Sequence, residues 1–165
     1  LQLTNLKENQ TSIRLYIIKF FILLIFLQLI IGAFVSGMDA GKIYNSWPMM
    51  GSNFFPDDSR YSEFISLNVF DNPSIVQFLH RLLAYLIIIN YIYLLILAFK
   101  EKNKTLLKPI LIIGIILFFQ VGLGILTILS GVKILYASLH QINSIFIILS
   151  TLYFLYISKY KDVIN

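Results

Sequence analysis

Val76-Gln77-Phe78-Leu79-His80-Arg81-Leu82-Leu83-Ala84-Tyr85 opens an apolar run that continues without a further charge to Phe99. Further along, Ala137-Ser138-Leu139-His140-Gln141 opens another. Each carries Leu-His just inside a hydrophobic segment, and these are the two histidines of the chain. An ionisable side chain at such a place is costly enough that it has a partner or a role. Two at matching depth predict one shared partner.

The composition sets the solvent. Of 165 residues, 58% are hydrophobic and 13% charged, against about half and a quarter in an ordinary soluble domain. The chain therefore reads as an integral membrane protein, and its length suits one bundle over 1–165 with no separate soluble domain. With no cysteine, disulfides, thiolate metal sites and the Cys-x-x-Cys-His attachment of covalent haem are excluded. The net charge of +5 follows from basic residues gathered beside membrane spans and does not imply nucleic acid. The sequence begins at Leu1 without an initiator methionine, and Leu1 to Thr11 is polar rather than signal-like. The expectation is a piece of a longer protein.

Spanning the hydrocarbon takes about 20 apolar residues at 1.5 Å each. Stretches of that length run over about 15–35, 75–99, 106–129 and 134–157. They lack the strict alternation of barrel strands, so helices must satisfy the backbone. The predicted fold is all-α: a membrane four-helix bundle of two helical hairpins, with a long loop over 39–73 between the first two helices. Lys7, Arg14 and Lys19, then Lys100, Lys102, Lys104 and Lys108, then Lys159 and Lys161 fall at one side. The positive-inside rule places both termini there, on the cytoplasmic or matrix side, and the long loop outside. That loop is punctuated by Pro48, Pro56 and Pro73 and rich in aromatic residues from Tyr44 to Phe70, which reads as a folded cap at the interface.

A short repeat links the spans. Phe26-Leu27-Gln28 with Gly32 and Ser36-Gly37 in the first matches Phe118-Phe119-Gln120 with Gly124 and Ser130-Gly131 in the third, while the second and fourth share Leu-His. The alternation predicts two hairpins related by an approximate two-fold axis along the membrane normal.

Both histidines lie about six residues inside their helices, hence about 9 Å deep, and both helices enter from the outer side. His80 and His140 are therefore candidates to face one another and to serve as the two axial ligands of a haem b iron. Ala84 and Ser144 nearby are small, and Gly32, Gly114, Gly122 and Gly124 are expected to admit close neighbours. Arg81 sits where its guanidinium can pair with a haem propionate, as can Lys133; both residues also suit plain snorkelling to lipid headgroups. The competing reading of the histidines is a hydrogen bond to an adjacent helix. Gln28, Gln77, Gln120, Asn90 and Asn143 read mainly as interhelical ties.

One long motif adds a family. Gly32-Ala33-Phe34-Val35-Ser36-Gly37-Met38-Asp39-Ala40-Gly41-Lys42-Ile43-Tyr44-Asn45-Ser46-Trp47-Pro48-Met49-Met50-Gly51 resembles the signature of haem A synthase, of the alphaproteobacterial and mitochondrial type. The stretches Val76 to Tyr85, Gln120 to Thr127 and Leu139-His140-Gln141 resemble later motifs of that family. The similarity runs from about Ile13 to Tyr156 and corresponds to the family's carboxy-terminal half.

The resemblance implies an oxidoreductase that converts the methyl group of haem O into the formyl group of haem A, built from two four-helix units in tandem. It implies that His80 and His140 match the pair that holds a haem b cofactor. Substrate haem O would belong to the amino-terminal unit, beside a glutamate three residues before its first histidine; here that position is Gln77. No catalytic residue is therefore expected in this half, and this chain alone is expected to bind haem b without oxidising haem O. Some bacterial members carry a cysteine pair in the outer loops, which this chain lacks. The resemblance admits a bacterial inner membrane or a mitochondrial one, and leaves a homo-oligomer open. The alternatives are a stand-alone di-histidine cytochrome b that only transfers electrons, and a transporter or assembly half-unit whose histidines carry protons or pack.

Overall fold

The computed structural model describes residues 15–66, 69–100 and 104–160. Leu1 to Thr11 and the basic residues Lys7, Arg14, Lys102 and Lys161 lie outside the described residues. Among the described residues, regular structure is helical: α1 (Leu15–Gly37), α2 (Tyr61–Phe64), α3 (Pro73–Lys100), α4 (Lys104–Leu129) and α5 (Ile134–Tyr160), with one 3-10 turn at Ala40–Lys42. Four of these, α1, α3, α4 and α5, are long and apolar enough to cross a membrane. The protein is an integral membrane helical bundle.

Helix ends follow local chemistry. Asn72 caps α3, its Oδ1 accepting from the backbone N–H of Ser74 at 2.9 Å and of Ile75 at 3.4 Å, with Pro73 at the first helical position where its missing N–H costs nothing. At the end of α4, Gly131 adopts φ 71°. The N–H groups of Gly131 and Val132 then close back on the carbonyls of Ile128 and Thr127 at 3.0 and 2.8 Å, the Schellman arrangement that only an αL residue permits. This tight stop turns the chain straight into α5.

In sequence and space α1 pairs with α3 and α4 with α5, and the two hairpins close on each other through α3 against α4 and α1 against α5. In lipid such contacts are held by van der Waals packing rather than by water exclusion. The buried apolar cluster fills one half only. It stops at Ile25 on α1 and Leu117 on α4, and it begins at Leu83 on α3 and Ile147 on α5. All of that lies on the side away from the long loop. Towards the loop the next inward residues are Gln28, His80, Gln120 and His140, which are tied to one another. Large apolar side chains on the outside, such as Phe20, Ile30, Ile89, Phe118 and Ile145, are exposed, as lipid-facing positions are.

The loop is folded. Ala40 and Met50 are fully buried, and Phe55 stacks on Tyr61 and meets Phe64 and Phe78 edge-on. Phe54 packs on Phe78 and Tyr85, fixing the loop to the first turns of α3. The helix starts at Pro73, so the loop ends at Asn72.

Candidate functional site: two imidazoles in glutamine and glycine clasps

His80 on α3 and His140 on α5 face one another with ring centres 6.5 Å apart and planes at 66°. Each is held by the neighbouring helix of its own hairpin in the same way. The Gln28 carboxamide nitrogen lies 3.2 Å from Nε2 of His80, and that of Gln120 lies 3.2 Å from Nε2 of His140. One turn further along, Gly32 and Gly124 leave room for the rings. A Cβ at Gly32 would stand 3.2 Å from Cε1 of His80, and one at Gly124 would stand 3.0 Å from Cε1 of His140. Glutamine and glycine four apart share a helix face, so the repeat in the sequence is a pair of matching slots.

The rings differ in their outer nitrogens. Nδ1 of His140 donates to the Gln120 carbonyl at 3.0 Å, which leaves Nε2 as an acceptor for the amide N–H. Asn143 in turn donates to Oε1 of Gln120 at 2.7 Å and to the Ile116 carbonyl at 3.0 Å. On the other side, Nδ1 of His80 and Oε1 of Gln28 are buried without a partner, and Gln28 instead donates a second time, to the His80 carbonyl at 3.1 Å.

The donor set suits an iron porphyrin. Two metal–imidazole bonds of about 2 Å, with ring centres roughly 1 Å behind each nitrogen, place the centres about 6 Å apart, close to the observed spacing. Among the described residues no group of three or more His, Cys, Asp and Glu could hold a bare metal ion. Two imidazoles alone are enough only for a metal whose remaining ligands come with a macrocycle.

Arg81 takes a different place from its neighbour. Its Nη1 donates to the carbonyls of Ser46 at 3.0 Å and Met49 at 3.3 Å, its Nη2 to that of Tyr44 at 3.1 Å, and its Nε is buried without a partner. Gln77 joins it on the Tyr44 carbonyl at 3.0 Å, so it ties helix to loop rather than helix to helix. Lys133, in the turn between α4 and α5, is exposed. Of the expected close approaches, Gly114 admits the Tyr91 hydroxyl, whereas a side chain at Gly122 would project into open space; Gly122 is no packing device within this chain.

Residues 2–152 match the model of a family described as cytochrome oxidase assembly protein. The chain belongs to that family. It is 44% identical over 159 residues to the Heme A synthase of Pelagibacter ubique, covering 96% of this chain and 46% of that one. It is 44% identical over 124 residues to the Heme A synthase of Rickettsia bellii, covering 75% and 37%. To that of Wolbachia pipientis it is 36% identical over 155 residues, covering 91% and 43%. The chain thus spans less than half the length of these curated relatives. No solved structure matches it.

Gln28, Gln120 and Asn143 are the interhelical ties expected from the sequence; that the two glutamines clasp the imidazoles, and that Asn143 braces Gln120, was not assigned. The repeat of Gln and Gly at equal spacing in α1 and α4 was the available signal.

Proposed function

We propose that this chain is the carboxy-terminal, haem b-binding half of a haem A synthase, with His80 and His140 as the axial ligands. The observation that carries the reading is the pair of opposed imidazoles, 6.5 Å apart, each with Nε2 as an acceptor for a glutamine N–H of the neighbouring helix. The resemblance of the chain to proteins named Heme A synthase supports the same assignment. Haem b held by two imidazoles supplies reversible one-electron transfer at its iron.

The residues of this chain bind and shield. Gly32 and Gly124 set the depth of the rings, the folded loop keeps bulk water from the site, and Arg81 and Gln77 hold that loop in place. Arg81 is assigned to the cofactor through Nε, the nitrogen it does not spend on the loop, as the donor to a propionate. The position three before His80 is the amide Gln77, already engaged with Tyr44, so oxidation of the haem O methyl group is assigned to the half of the relatives that this chain does not cover. The bundle is proposed to sit in a bacterial cell membrane or its mitochondrial counterpart, with the loop on the outer side.

The test is the protein purified from membranes, with a reduced-minus-oxidised spectrum and haem typing as the pyridine haemochrome. A low-spin haem b signal is expected, lost on His80→Ala and on His140→Ala. A full low-spin complement in both variants overturns the assignment.

A further inference from the structure

The two halves of the site keep the same glutamine and glycine but differ three residues beyond each histidine. After His140 that residue is Asn143; after His80 it is Leu83, buried in the core and unable to hydrogen-bond. Asn143 fixes the Gln120 carboxamide through Oε1 at 2.7 Å. With the oxygen engaged, only the N–H face of Gln120 is left for Nε2 of His140. Nδ1–H of that ring donates to the Gln120 carbonyl. Each of these bonds demands the others, and together they hold one tautomer and one ring orientation. A metal-binding imidazole whose second nitrogen donates to a carbonyl is both oriented and made more basic. His80 has no such bond: its Nδ1 and the Oε1 of Gln28 both lack partners.

We infer that the two ligands are unequal: His140 is the anchored ligand and His80 the exchangeable one, with Gln120 and Asn143 as the positioning residues that create the difference. This rests on the haem-binding reading above. Neither carboxamide depends on the imidazole alone. Gln120 is also held by Asn143, and Gln28 by the His80 carbonyl, so each keeps a partner if a metal takes Nε2.

The experiment uses the 165-residue chain in detergent, titrated with ferric protoporphyrin IX. His80→Ala is expected to keep haem in a high-spin form that added imidazole returns to low-spin. His140→Ala is expected to bind at least tenfold more weakly than His80→Ala. Asn143→Leu, which copies the Leu83 side, is expected to weaken binding roughly 10–100-fold, the usual cost of losing an outer partner. A second readout needs no haem. NMR of histidine-labelled chain should show a hydrogen-bonded Nδ1–H at His140, with its proton downfield of the unbonded Nδ1–H at His80, and the difference is expected to shrink in Asn143→Leu.

Equal haem loss in the two alanine variants, tighter binding by His140→Ala, or equal Nδ1–H hydrogen bonding at the two rings would overturn the inference while leaving haem binding intact. Failure of the unaltered chain to bind haem would instead remove the parent reading, and this one with it.

Discussion

Gly124 stands against His140 so closely that a Cβ there would lie 3.0 Å from Cε1 and 3.4 Å from Nδ1 of the ring. Gly32 stands against His80 in the same relation at 3.2 and 3.8 Å. A side chain at either place requires the imidazole to give way by a few tenths of an ångström. Overpacking of this kind costs about 1–3 kcal/mol, which is about 5- to 150-fold in affinity at 1.4 kcal/mol per tenfold. Gly124→Ala is therefore expected to lose more haem than Gly32→Ala in spectral titrations. Gly122→Ala, which meets open space, is expected to leave binding unchanged.

Arg81 spans three loop carbonyls with a planar fork. Arg81→Ala should release the loop from α3. Arg81→Lys should rescue it poorly, because one ammonium cannot reproduce the fork. Protease cleavage between 43 and 60 reports the effect, and faster cleavage is expected in both variants; unchanged rates would show that the aromatic cluster alone holds the cap.

Removing the α3 cap has a smaller and more local effect. Asn72→Ala takes away the acceptor for Ser74 and Ile75 and the amide that donates to Glu63 at 2.7 Å. A loss of about 1 kcal/mol is expected from the cap, read as a lowered Tm in detergent with the haem spectrum retained.

Acid and base should loosen the cap at opposite ends of the scale. Burial opposes the Asp58 carboxylate, but hydrogen bonds from Ser74, Tyr44 and Ser59 outweigh it and hold the group below its usual range. The backbone N–H of Ser52, then the Asn53 amide, do the same for Asp57. Burial, and then the Asp58 neighbour, raise the Tyr44 phenol. A carboxylate with a depressed folded value stabilises fully above its ordinary pKa of about 3.9 and ceases to as pH falls through the folded value. A phenol with a raised folded value stabilises fully below about 10 and ceases to as pH rises through it. Trp47, the one tryptophan of the chain, lies in this loop. Its emission should be constant between about pH 4 and 10 and shift outside that window; a change centred near neutrality would contradict the assignment.

The sequence made some of this legible and some not. Hydropathy and length revealed the four spans, because lipid leaves the backbone no alternative to helix. The paired Leu-His entrances and the repeat of Gln28 and Gly32 in Gln120 and Gly124 made the likeness of the two hairpins readable. Which atoms the glutamines would engage was not readable, since helical phase names a face and not a partner. Arg81 shows the same limit from another side. Its acceptors are main-chain carbonyls of Tyr44, Ser46 and Met49, groups that every residue carries and no motif marks.

The buried cluster that stops at Ile25, Leu83, Leu117 and Ile147 sets the histidine pair off from the opposite end of the bundle. From Gln28 back to Leu15 is about 20 Å of helix at 1.5 Å per residue, lined mainly by apolar side chains, with the buried Thr151 and Ser158 hydroxyls turned onto carbonyls of their own helix. Under the haem-binding reading proposed above, a group held by the histidine pair lies at the loop end of the bundle, which makes the protein a one-sided terminal.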